Sequence, residues 1–172
     1  NGMASHSSFQ KAVESAKSEL IERDLLLCNW LLKLPVEALN PRETSCSKLS
    51  LRKLELLRNA KCKTYFRLIG RCNGLYVGIV LIAIGGKHAL ASSCKPSVHL
   101  LIDDLVRQAA LGATASAVYT SENQIDDLAE IKRPDDHRLF YLTSRGHDLL
   151  KHYAENAVDT VPEYPTLKLE ID

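Results

Sequence analysis

Lys63-Thr-Tyr-Phe-Arg-Leu-Ile-Gly-Arg-Cys72, then Asn73-Gly74, then Leu75-Tyr-Val-Gly-Ile-Val-Leu-Ile-Ala-Ile84, stand in succession in a chain of 172 residues. Two β-rich runs around Asn-Gly predict a hairpin, because both central residues of the favoured two-residue turn need positive φ. Gly85-Gly86 predicts a second turn, and Lys87 to Cys94 a third strand. The run from Leu75 to Ile84 is apolar on both faces, so it predicts a sheet covered by one layer on each side.

On either side of these strands, helical spacing and its punctuation predict the flanking elements. Ala12, Val13, Ala16, Leu20, Ile21, Leu25, Cys28, Leu31 and Leu32 recur at helical intervals within Ser8 to Leu34, and Pro35 ends that helix. Pro35 to Ser47 reads as a loop. Ser47 or Ser50 can cap a second helix reaching about Ala60. Pro96 and Ser97 precede a helix over Val98 to Leu111. Gly112 to Thr120 is small and ambiguous, and Ser121 can cap a short helix to about Leu128. Leu139 to Leu142 reads as extended, Gly146 to Ala157 as helical with Ser144 as its cap, and Leu167 to Ile171 as an edge strand. The expected class is α+β: an N-terminal helix, then helix, three-stranded antiparallel sheet and helix, then a small mainly helical C-terminal region. The expected division is residues 1–41 as helix and linker and 42–172 as one domain, basic over 42–95 and acidic over 96–172.

That division follows charge. Arg42 to Lys95 holds eleven Lys/Arg against two acids, whereas Pro96 to Asp172 holds seven against fourteen, so a net charge of +1 hides a dipolar chain. Such asymmetry points to a polyanion or an acidic partner. Arg52, Lys53, Arg58, Lys61, Lys63, Arg67 and Arg71 are the expected phosphate-binding residues, with Tyr65 and Phe66 among them as stacking residues would be. The bland alternative is a solvated face with two core aromatics. In a third reading this patch docks on the acidic third of its own chain or of another copy.

The order from Leu49 to Leu111, helix, three antiparallel strands, helix, resembles the double-stranded-RNA-binding domain. The Gly86-Lys87 turn and the Lys95-led helix sit where that family has its second hairpin and its lysine-bearing helix start. Here that lysine run is reduced to Lys95, and Asn73-Gly74 is too short to enter a minor groove. The resemblance implies two helices on one sheet face; degenerate members of the family serve as protein-binding or dimerising modules. Downstream, Lys132-Arg-Pro-Asp-Asp-His-Arg-Leu-Phe-Tyr-Leu-Thr-Ser-Arg-Gly-His-Asp-Leu-Leu150 is similar to the wing and closing helix of winged helix-turn-helix proteins. Glu122, Asp126 and Asp127 in its would-be recognition helix repel phosphate and exclude major-groove readout.

Chemistry is not signalled. His6, His88, His99, His137, His147 and His152 lack the three- or four-residue spacing of helical metal pairs. His99 and Asp103 form an i,i+4 pair of the kind common on helix surfaces. No nucleophile elbow, glycine phosphate loop or Cys-His signature is present, so no enzyme activity, cofactor or metal is expected. Cys28, Cys46, Cys62, Cys72 and Cys94 read as reduced thiols in an intracellular protein, cytoplasmic or nuclear. Asn1-Gly2 precede a Met that reads as the native initiator, with no secretory pattern after it. The expected function is a non-catalytic assembly module of a nucleic-acid-associated complex, touching RNA more than DNA. The alternative is a protein–protein adaptor or homodimerisation domain, with Trp30, Leu31, Tyr76 and Val77 at its interface.

Overall fold

The computed structural model describes residues 6–118, 125, 127–132, 140 and 143–158. The hairpin is formed as its sequence dictates. Strand β2 (Lys63–Cys72) pairs antiparallel with β3 (Leu75–Ile84), and β3 with β4 (Lys87–Lys95). Asn73 and Gly74 take φ of 53° and 72° at the first turn, and Gly85 and Gly86 take 57° and 78° at the second. Two short strands extend the sheet. Strand β1 (Val36–Ala38) pairs antiparallel with β2, and β5 (Ala157–Val158) lies parallel to β1, giving the order β4-β3-β2-β1-β5. The chain is α+β with a mixed five-stranded sheet.

Helices cover both faces, as the doubly apolar β3 requires. On one face, α3 (Val98–Val118) lays Leu101, Ile102, Leu105, Val106 and Ala109 against Phe66, Leu68, Val80 and Ile82, and α2 (Lys48–Asn59) adds Leu57. On the other, Ile21 and Leu25 of α1 (Phe9–Leu32) and Leu150 and Tyr153 of α4 (Ser144–Glu155) cover Ile69, Val77, Ile79 and Leu81. Helices α2 and α3 share one face, but the sheet does not follow the double-stranded-RNA-binding expectation of helices on one side alone. The opposite face is not free, because α1 and α4 bury it.

Polar contacts fix the helices in place. The Ser47 side chain caps α2 by accepting from Ser50 N–H, and Ser47 N–H donates to the Asp103 carboxylate of α3 at 2.9 Å. Thr143, rather than Ser144, caps α4 by accepting from Gly146 N–H. Ser92 of β4 donates to Glu22 of α1 at 2.6 Å. The residues expected to be loop at 36–38 are strand, and α3 runs seven residues beyond Leu111. A 3-10 turn occupies Leu128–Glu130. The expected helix from Ser121, the extended run at Leu139 to Leu142 and the edge strand at Leu167 to Ile171 lie wholly or mostly outside the described residues.

Candidate partner-binding site

The seven expected phosphate ligands do not share one face. A β-bulge between Leu68 and Gly70 separates the last two. Arg67 and Arg71 are four apart and would share a face in a regular strand; the extra residue sends them to opposite faces. Arg67 turns under α4, donating to Tyr153 O at 2.8 Å and Ala154 O at 2.9 Å. These are orphan carbonyls of a helix C-terminus, where a cation is favoured. Burial pulls the Arg67 pKa downward, with Tyr65 opposing it. Arg71 instead pairs with Glu37 of β1 at 3.3 Å and lies over the Tyr76 ring. Both arginines are therefore committed within the chain. Arg52 and Lys53 belong to α2, in the layer covering the other side of the sheet from α4.

Four cations do gather around the start of β2. A recess of about 340 Å³ is lined by Arg42, Arg58, Tyr65 and the apolar Leu39, Leu54 and Phe66. A second, of about 300 Å³, is lined by Lys61, Lys63, His88 and again Tyr65, with Leu81 and Ile84. Tyr65 borders both, and no carboxylate lines either. Arg42, Lys61 and Lys63 are exposed and make no ion pair among the described residues; Arg58 meets Glu55 only at 3.8 Å on the surface. Arg42 joins them because β1 carries the following loop against β2. Arg42 lies outside the seven expected ligands, because no local pattern in Val36-Glu37-Ala38 marks β1.

The larger cleft is electrically mixed. It measures about 1070 Å³ between the N-terminal half of α1 and the β2–β3 turn, and it is lined by Lys11 and Lys17 together with Glu14, Glu19 and Glu22; Lys95 borders it too, with its Nζ paired to Asp104 at 3.4 Å. Beside it, the Cys94 thiol is pushed up to about 12 by burial first and by Glu22 second, with Lys95 opposing. Burial also raises Cys46 and Cys62. All five cysteines are free thiols. Among the described residues no three His, Cys, Asp or Glu side chains come together as metal ligands would. No helix among them is long and apolar enough to cross a membrane.

The expected interface residues have different fates. Val77 is fully buried within the chain's own core, so it cannot meet a partner. Trp30 is half-buried, stacks on Tyr153 at 6.1 Å and carries Lys33 Nζ over its ring at 3.9 Å. Tyr76 is half-buried against the α3 side of the core. Leu31 is 68% exposed, and it is not alone on α1: Phe9 (85%), Leu27 (56%) and Leu20 (42%) also face solvent. Val13 and Ala16, half-exposed, fall on the same stripe. Its spacing of three, four and seven residues was readable in the sequence, but sequence alone does not say which of two apolar stripes a helix buries.

No protein-family model matches the chain, and no curated protein matches it. Solved structures do share its fold. The chain is similar to a component of the E. coli microcin synthetase McbBCD complex with pro-MccB17 bound, at TM-score 0.61 and 17% identity over 92% of this chain and 42% of that one. It is similar to a heterocyclase in complex with substrate and cofactor, at TM-score 0.66 and 16% identity over 96% of this chain and 21% of that one. It is also similar to YcaO from Methanopyrus kandleri bound with AMPPCP and Mg2+, at TM-score 0.65 and 18% identity over 94% of this chain and 40% of that one. The chain thus spans between a fifth and about two fifths of these relatives in fold. They correct three expectations: neither the double-stranded-RNA-binding nor the winged helix-turn-helix resemblance holds, and the nucleic-acid-associated function gives way with them. The fold of this chain is the one found within heterocyclase and YcaO structures.

Proposed function

We propose that the chain is an assembly module that works by protein–protein contact, in a multi-protein complex such as the microcin synthetase complex to which one fold relative belongs, and that α1 joins two copies. The observation that carries this reading is the outward stripe of α1: Phe9, Val13, Ala16, Leu20, Leu27 and Leu31, on a helix whose opposite face already packs through Ile21 and Leu25. A second apolar stripe at three- and four-residue spacing is what a helix-to-helix seam uses. Charge sets its direction. Lys17 and Asp24 flank the stripe on one side, and Glu19 flanks it on the other, ion-paired to Arg23 at 2.8 Å. Antiparallel pairing brings Lys17 of each copy against Asp24 of the other, whereas parallel pairing sets Asp24 against Glu19. Membership of one fold relative in the McbBCD complex supports a partner protein more broadly.

The test is light scattering across a concentration series, on the wild type and on Leu27→Glu/Leu31→Glu. The wild type is expected to self-associate, and the double variant to remain a monomer with an unchanged melting temperature, because both side chains are exposed. A wild type that stays monomeric at every concentration contradicts the reading.

A further inference from the structure

The paired recesses at the start of β2 combine two properties. Arg42, Arg58, Lys61 and Lys63 supply positive charge with no carboxylate in either lining, while Leu39, Leu54, Leu81 and Ile84 supply apolar wall. The cleft beside α1 lacks this bias, since its lysines are matched by glutamates. Tyr65 forms the shared ridge, with the Arg67 guanidinium 5.6 Å from its ring centroid. Arg67 is anchored to the end of α4, so the ridge is braced from below.

We propose that this double recess is a docking site for an acidic segment of a partner protein, with Asp or Glu side chains meeting the four cations and apolar side chains entering on either side of Tyr65. Charge complementarity selects the occupant: a lining with four cations and no carboxylate draws acidic chains and repels basic ones. A nucleic-acid backbone suits it less, because phosphate tracking needs a continuous cationic run. Here the run is broken where Arg67 and Arg71 are taken up internally. The proposal shares with the assembly reading only the premise that the protein binds protein. The second recess adjoins the β3–β4 turn, at the other end of the sheet from the β2–β3 turn that borders the cleft beside α1.

The experiment is fluorescence anisotropy on the full chain, with a labelled peptide of Glu, Asp and Leu, its Gln/Asn counterpart, and a single-stranded RNA of equal length. The acidic peptide is expected to bind, with affinity falling as salt rises, and the neutral one to bind far more weakly. Arg58→Gln/Lys61→Gly/Lys63→Gln is expected to weaken acidic-peptide binding by roughly tenfold, the sum of three exposed charge contacts. Lys11→Gln, in the mixed cleft, is expected to change nothing. Melting curves confirm folding, and Lys61→Gly alone gives a variant whose backbone favours the change. Equal binding of both peptides, no binding of the acidic one, an unaffected triple variant, or tighter RNA binding lost in that variant would each overturn the proposal. Light scattering on the same variants separates the two ideas: loss of peptide with self-association intact tests the recess, and the converse tests α1.

Discussion

Lys61 sits in the left-handed region at φ 56°, at the end of α2. Its N–H donates to Arg58 O at 2.9 Å, and Cys62 N–H to Leu57 O at 2.9 Å, the paired closure that usually takes glycine. Lys61→Gly relieves the backbone strain, and we expect stability to rise by up to about 1 kcal/mol in chemical denaturation. Gly78 is the opposite case. A Cβ there meets Arg67 O at 2.9 Å and Leu101 Cδ2 at 3.0 Å, so α3 could not approach the sheet as it does. Gly78→Ala is expected to cost about 1–3 kcal/mol, read by the same measurement. Asp103 provides a pH signature. Burial raises its carboxyl, but hydrogen bonds from Ser50 and Ser47 outweigh that and leave it below the usual value. Asp104 is lowered likewise, with Ser93 and Arg107 outweighing burial. A depressed folded pKa means stability that is present above the unfolded value of about 4 and is lost as pH falls through the folded one. Denaturation midpoints should therefore decline below about pH 4. Asp103→Asn should lower the neutral-pH midpoint and reduce that decline; equal slopes in both proteins would contradict the assignment.

At the scale of elements, legibility tracked how local the cause was. The hairpin, its Asn73-Gly74 turn and the Gly85-Gly86 turn were readable because their chemistry lies within two residues of each turn. Helix α2 and its Ser47 cap were readable for the same reason. Strand β1 was not: Val36-Glu37-Ala38 is extended because it pairs with Arg67 and Leu68, far along the chain. The last two turns of α3 were hidden because Gly112-Ala-Thr-Ala-Ser carries no strong period; Gly112 lies so close to Ile82 that an added Cβ would meet its Cδ1 at 2.7 Å. The candidate site was legible only in part. Arg58, Lys61 and Lys63 stand where charge counting placed the interest, whereas the bulge after Leu68, which sets Arg67 and Arg71 apart, leaves no mark that a composition or period can detect. With Cys94 near 12 and Cys46 and Cys62 raised, native alkylation near neutral pH should modify half-buried Cys28 first and the buried thiols only on unfolding, as mass spectrometry of a time course would record.

For the whole molecule, two helical layers close a mixed sheet and leave two features without an internal use: the outer stripe of α1 and the cationic recesses around Tyr65. A charge count made along the chain overstated the second and overlooked the first. The relatives in fold are between about two and five times the length of this chain, so the same unit sits there among additional polypeptide. Its exposed faces are where neighbouring protein has room to pack. Sedimentation equilibrium of the chain decides whether α1 joins two copies. A concentration-dependent monomer–dimer equilibrium is expected, which Leu27→Glu/Leu31→Glu abolishes and which a Lys17→Asp/Asp24→Lys exchange, restoring the antiparallel charge match, retains. A single monomeric species throughout, or a dimer indifferent to Leu27 and Leu31, would contradict it.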